Sequence, residues 1–331
     1  MEKNYKKGER IKRKPVIKKT GALWIGMEQT PIVFDGRIVF IESVEDPEYT
    51  DTDRHFYIRA RDYESGKIYP GFAHGHPFAS AYTENGVVYA FCTSLRDKNP
   101  LTMYKSDDSS NWHDPRGGSL VMMYKSSDLI NWQGAEIINL PGWRMWNTSV
   151  CKGENGYIMA IEVGGGDMDE SVNKLVGNGF TEFFAHSKDL MNWQMMDYDL
   201  CYTRERYNAC SALRYFDGWY YMICLEALPV LRYASYIYRT RDFVDWEVSV
   251  YNPVMMFGDD DRVVHPKSKL TEQEKDLLES GININSSDID LCEFEGKTYI
   301  FYANGDQMTY CFLCEAVYDG KMEELLKGFF E

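Results

Sequence analysis

The sequence has no run of about 18 apolar residues, which excludes a membrane-spanning helix. Its basic start, residues 1–20, carries nine Lys or Arg against Glu2 and Glu9 but lacks the apolar stretch of a secretory signal. It therefore reads as a solvated arm packing across the fold, and a cytoplasmic location is expected. Beyond that arm positive charge is scarce: the remainder nets −22, a field that repels nucleic acid. Metal-binding cysteine spacing is almost absent. Of eight cysteines only Cys311 and Cys314 stand in CxxC spacing, and on an alternating strand i and i+3 face opposite sides, which makes a poor metal clip. Buried free thiols in a reducing compartment are expected over a disulfide framework. His74 and His76 lack an assured third ligand, so no metal or cofactor is assigned, an axial calcium or other divalent cation being the one ion they would serve. Nothing sets an oligomeric state.

What the chain does have is a repeated pair of turns. Five dipeptides, Asp35-Gly36, Asn85-Gly86, Asn155-Gly156, Asp217-Gly218 and Glu295-Gly296, each separate two apolar or aromatic runs, the strongest short-range hairpin signal. A second turn, x-Asp-Leu/Phe-x-Asn/Asp-Trp, follows three of them and ends at Trp132, Trp193 and Trp246. The turn glycines are 50, 70, 62 and 78 residues apart. Five repeats of four short antiparallel strands predict an all-β, five-bladed β-propeller over 23–331, with residues 1–22 as the arm, because each blade buries its faces only against its neighbours. Two helices interrupt the strands, one over 271–280 with a Thr271/Glu274 capping box and one over 322–330.

Strand direction sorts the loops. The tight turns and the tryptophan turns share one end of the ring, and the long segments 43–55, 94–118, 163–179 and 251–285 share the other, where sites are built. That upper face also collects Glu28, Glu42, His76, Arg144, Asn147, Glu162, Arg204, Arg206, Asn208, Glu226, Asp288, Asp290 and Gln307. Glu162 and Glu226 end apolar strands, where a carboxylate must be paired, hydrated or functional; Arg144 or Arg206 would serve as structural partners equally well. Asp288 and Asp290 are two apart and so fall on one side of their strand. The segment 164–170 reads as a flap. Trp143 and Trp146 are candidate sugar-stacking platforms.

The inner strands with aromatic-rich returns and x-Asp-Leu/Phe-x-Asn/Asp-Trp turns resemble the five-bladed propeller superfamily of glycosidases: glycoside hydrolase families 43, 32 and 117, with the invertases and levansucrases. The resemblance spans 23–315. It implies a carbohydrate substrate bound in an axial funnel, with acidic residues near the inner strands. Family 43 carries an acidic triad whose nearest positions here are Thr30, Ser80, and Asn208 or Ala209. None is a carboxylate, so that triad does not transfer.

The expected function is hydrolysis of a small oligosaccharide or glycoside, one carboxylic acid protonating the leaving oxygen while an opposed carboxylate acts as base or nucleophile. Asp288, Glu226, Glu162 and Glu28 are the catalytic candidates. Arg144, Trp146, Asn147, Arg206, Asn208, Asp290, Gln307 and His76 are the substrate-binding ones. Arg144, Arg204 and Arg206 would suit a negatively charged sugar. Two alternatives stay open: a non-catalytic carbohydrate-binding propeller, and a glycoside phosphorylase.

Overall fold

The computed structural model describes residues 13–45, 56–94, 118–165, 168–177, 179–230, 232–307 and 309–331. The chain enters as β1 (Lys18–Ile25) and then lays down five sheets around one axis. Blade 1 is β2 (Gln29–Phe34), β3 (Arg37–Glu45) and β4 (Phe56–Asp62); blade 2 is β5 (Ser80–Glu84), β6 (Val87–Ser94), β7 (Leu120–Ser126) and β8 (Gln133–Asn139). Blade 3 is β9 (Met145–Gly153), β10 (Gly156–Gly164), β11 (Phe180–Ser187) and β12 (Trp193–Met195). Blade 4 is β13 (Asn208–Phe216), β14 (Trp219–Leu228), β15 (Arg232–Thr240) and β16 (Trp246–Val248), with β17 (Met255–Met256) added to β15. Blade 5 is β18 (Ser287–Phe294), β19 (Lys297–Gly305) and β20 (Cys311–Tyr318), completed by β1. Among the described residues three helices, α1 (Glu170–Val176), α2 (Glu272–Ser280) and α3 (Met322–Gly328), lie between strands or after them.

The fold is the five-bladed β-propeller the two turns predict. At four of the five hairpins both turn residues have positive φ, for example Asp217 at 50° and Gly218 at 78°, as a two-residue turn between right-twisted strands requires. The tryptophan turns repeat one device. Asp128, Asp189 and Asp242 each accept two backbone N–H bonds, from residues two and three further on, at 2.8–3.0 Å. Those donors hold all three carboxyls below the usual range, Asp189 at about 2. The next residue, Leu129, Leu190 or Phe243, has φ 64° and is buried.

Trp193 and Trp246 donate their indole N–H to the carbonyls of Leu190 and Phe243 at 2.9 and 3.0 Å. Trp193 is half-buried against Phe91. Trp193→Ala should therefore cost about 2 kcal/mol, less than the ~3–5 kcal/mol of a fully buried tryptophan. Thermal melts check that cost, and selective loss of activity at normal stability would overturn the assignment of this turn to the end away from the site.

Besides α1, where the sequence reading had no helix, three elements depart from it. In blade 1 the fourth position is taken not by a strand but by isolated bridges, Arg61 to Ile68 and Ile58 to Phe72. The basic arm becomes a strand at Lys18 and closes the ring by pairing β20. Lys19 seals this seam: its Nζ is 2.7 Å from the fully buried Asp261, which also accepts from Tyr302 at 2.7 Å and from the Gly258 N–H at 2.8 Å. Glu315 of β20 meets Thr20 at 2.8 Å, His265 at 3.3 Å, and the Tyr63 hydroxyl of blade 1. Burial pushes the Glu315 carboxyl up, but those donors outweigh it and hold the group below the usual range. Finally, α3, expected from its place at the end of the last blade to supply apolar residues where blade 5 docks against blade 1, does not serve that junction. Met322, Leu325, Leu326 and Phe329 are buried with Tyr221, Ile223, Leu291 and Ile300, in the seam between blades 4 and 5.

Candidate active site

The inner strands β2, β5, β9, β13 and β18 touch in ring order and enclose the axis. At its upper mouth is a small polar pocket of about 30 Å³, lined by Glu28, Gln29, Thr30, Ala79, Ser80, Asn147, Thr148, Asp288, Ile289 and Asp290. That volume admits one water or one substituent of a sugar, so a ring would rest above it. Thr30 and Ser80 are part of a hydroxyl floor, with Ser80 Oγ 2.7 Å from Thr148 Oγ1. A separate cavity of about 330 Å³ opens at the other end of the axis, lined in part by Tyr82, Cys151, Arg214, Cys292 and Met322.

The upper ends of the inner strands are irregular where the candidate acids stand. Strand pairing slips between Ser287 and Asp290, between Ile161 and Val163, and between Ala209 and Ala212. A bulge bends its strand and re-aims the side chains it carries. Asp288 lies inside the first slip with φ 48°, a left-handed conformation out of place in a strand, although aspartate adopts it more readily than most non-glycine residues. The alternation that placed Asp288 and Asp290 alike is therefore broken. The Ser287 hydroxyl donates to Asp288 and lies 3.1 Å from Gln307 Oε1, and Gln307 itself has φ 68°.

A second group of carboxylates sits between blades 3 and 4. Glu162 and Glu182 are directly opposite on β10 and β11, 3% and 1% exposed, and like charges so placed repel. Glu226, on β14 opposite Asn208, is 5% exposed, accepts from the Tyr238 hydroxyl and lies 3.2 Å from Arg206. Burial raises the Glu226 pKa and Arg206 pulls it back only in part. All three carboxylates act on one thiol: Cys224, fully buried, is pushed well up by burial and further by Glu182, Glu226 and Glu162. Asn147 joins this group to the axis, since it lines the axial pocket and donates to Glu162 at 3.1 Å. Glu182 was missed in the sequence because it lies near the start of an ordinary β11 run, and only the pairing of β11 with β10 sets it opposite Glu162.

Several sequence-based assignments change. Asp290 lines the pocket but is committed to Arg214, whose Nη2 also donates to the Leu291 carbonyl at 2.7 Å. Trp146 is not an open stacking platform: it is 8% exposed, packs against Phe78 at 5.2 Å and Phe180 at 5.4 Å, carries Arg144 on its face at 4.7 Å, and donates to Gly164 O at 2.8 Å. Trp143 packs against Phe183 and Tyr198. Burial lowers the His76 pKa to about 4, leaving a neutral imidazole beside Tyr124, outside the axial pocket lining; His74 stacks on Tyr57.

Among the described residues no group of three or more His, Cys, Asp or Glu is arranged to hold a metal ion. Arg204 is tied to Tyr198 O and to Asp199 at 3.1 Å. In the segment 164–170, Gly166 and Asp167 lie outside the described residues, as do parts of the 43–55 and 94–118 loops, while Gly164 ends β10 and Glu170 opens α1.

Beside the axial pocket, and sharing Glu28 and Gln29 with it, is a larger cleft of about 310 Å³ at the mouth of the crevice between blades 5 and 1. Its wall includes Ile25, Met27, Glu42, Arg59, Arg61 and Phe78.

No protein-family model matches the chain, and neither does any curated protein. Solved structures do match. The BT0996 RGII complex superposes with a TM-score of 0.60 at 11% identity, covering 93% of this protein and 93% of that one. A glycoside hydrolase gives 0.58 at 10%, covering 92% of each. The α-L-arabinofuranosidase of Podospora anserina in complex with cellotriose gives 0.58 at 9%, covering 93% of this protein and 98% of that one. At these identities the likeness establishes the fold, a five-bladed propeller of the kind found in glycoside hydrolases.

Proposed function

We propose that the protein is a glycoside hydrolase acting at the upper mouth of the axis on a small oligosaccharide or glycoside. The observation that carries this reading is Asp288, held in a left-handed bulge at a polar axial pocket. Strain of this kind persists where the surroundings impose it, and it gathers at working sites. Asp288 at the axial pocket is the base or nucleophile, and Glu226, raised by burial but outside that pocket's lining, is the acid; Glu28, which lines the pocket, and Glu162, tied to it through Asn147, are next in line. Asn147 at the pocket wall and Gln307 beside Ser287 orient the sugar, Asn208 is buried opposite Glu226, and Arg206 tunes Glu226.

The test is a panel of oligosaccharides and aryl glycosides assayed with and without phosphate and chelator. Turnover that needs neither phosphate nor metal supports hydrolysis. Strict dependence on phosphate makes the protein a phosphorylase, and sugar binding without any turnover makes it a carbohydrate-binding propeller.

A further inference from the structure

The cleft between blades 5 and 1 has a charge pattern that the hydrolytic reading does not use. Gln29, Glu42 and Arg59 are directly paired across β2, β3 and β4, so they form one row on one face of the blade, and Arg61 lies two residues along β4 on the same side. Glu42, only 3% exposed, accepts from Arg59 Nε at 2.5 Å and from Arg61 Nε at 3.0 and 3.1 Å. Two guanidinium groups thus share one carboxylate, and the cluster carries one excess positive charge. Its arginine side chains are 19% and 14% exposed, in a chain whose net charge is −15.

The arginines are also pre-positioned. Arg61 lies over the Trp24 ring at 4.7 Å, and Arg59 Nη1 is 3.4 Å from the Tyr57 hydroxyl. Both reach Glu42 through Nε. Fixed guanidinium planes match the planar geometry of a carboxylate and also grip a sulfate. Two other acids line the cleft. Glu45 is exposed and of opposite parity to Glu42 on β3, and Glu28 is shared with the axial pocket.

We propose that this cleft binds the oxyanion of an acidic sugar, the carboxylate of a uronic acid or a sulfate ester, in the unit next to the one held over the axial pocket. The cleft volume of about 310 Å³ is at the lower end of the range for small-molecule sites, enough for one sugar ring. The proposal takes its sugar from the glycosidase reading, but the oxyanion site stands on the arginine pair alone. It also reassigns the recognition of negative charge: Arg144, Arg204 and Arg206 are engaged with Trp146, Asp199 and Glu226, whereas Arg59 and Arg61 share the one buried carboxylate of Glu42, with Glu28 and Glu45 lining the same cleft.

The experiment is calorimetric titration of the wild-type protein with D-galacturonate, D-glucuronate and D-galactose 6-sulfate, each against its neutral parent sugar. At least one acid is expected to bind 10-fold or more tighter than its parent, with an affinity that falls as salt is raised. The preferred acid identifies carboxylate or sulfate. Arg59→Gln and Arg61→Gln should each weaken that acid by roughly 10- to 100-fold and leave the neutral sugar unchanged. In each variant Glu42 keeps one guanidinium, and a thermal melt verifies folding. Arg59→Lys should recover part of the loss, since it restores charge without the planar fork.

Equal binding of every acid and its parent, or equal weakening of both by Arg59→Gln, overturns the proposal. Turnover of neutral glycosides with no preference for acids removes the cleft and leaves the hydrolase. Tight binding of an acid without turnover removes the hydrolase and leaves the cleft.

Discussion

Asp288→Asn should lower glycoside turnover by at least about 10²-fold, the scale on which loss of a general acid or base is felt. The substitution keeps volume, and asparagine tolerates the left-handed conformation that Asp288 adopts at φ 48°. It can still accept from Ser287. Melting temperature and sugar affinity should therefore change little. Glu226→Gln should show a loss of the same order, because burial raises the pKa of its carboxyl, as a general acid requires.

The pH profile separates the two roles. An acid works in its protonated form, so activity should fall as pH rises through the raised Glu226 value. Arg206 opposes that rise. Arg206→Gln removes the opposing charge and should move the alkaline limb to higher pH, while a purely structural Arg206 would leave the limb in place. If Asp288→Asn and Glu226→Gln both stay fully active on the true substrate, the pair lies elsewhere and Glu28 and Glu162 become the ones to test.

The ring was legible in the sequence because its turns are dictated locally. Positive φ at Asp217 and Gly218, and an aspartate that accepts two backbone N–H bonds before a buried residue at φ 64°, each need particular side chains at fixed offsets. Closure was not legible. Strand β1 pairs with β20, nearly 300 residues away, and its residues 18–20 carry the charge of a solvated arm although Lys19 meets a buried aspartate.

At the site the sequence placed Glu28, Asn147 and Asp288 together at the axis and put Glu162 close by, since strand ends are set by the same turns. What it mistook depended on side-chain partners from other blades. Asp290 answers to Arg214 on blade 4, and Trp146 is enclosed partly by Phe78, which precedes blade 2. Glu182 and the Arg59–Glu42–Arg61 cluster came from register, because only pairing β10 with β11, and β3 with β4, shows which charges are opposed.

Removing residues 320–331 should abolish cooperative folding. The segment takes with it Met322, Leu325, Leu326 and Phe329, all 7% exposed or less. At about 1.5–3 kcal/mol for each buried side chain the loss is roughly 6–12 kcal/mol, comparable with the ~5–15 kcal/mol that stabilises a whole domain. Two polar ties go as well: Ser249 Oγ donates to Phe329 O at 2.6 Å, and Lys327 reaches Asp217 at 3.0 Å. Removing only Phe330 and Glu331 should be much milder, because Phe330 is half-buried against Tyr221 and Arg239.

The single change Leu326→Ala, expected to cost about 2–5 kcal/mol, keeps the chain long enough to fold. Its effect should be local. Hydrogen exchange should quicken first along the seam of blades 4 and 5, in β14 and β19, because α3 packs there and ring closure onto blade 1 belongs to β1. Exchange that quickens first in blade 1 would return α3 to the closing seam, and a truncated chain that melts like the full one would show that α3 carries no part of the core.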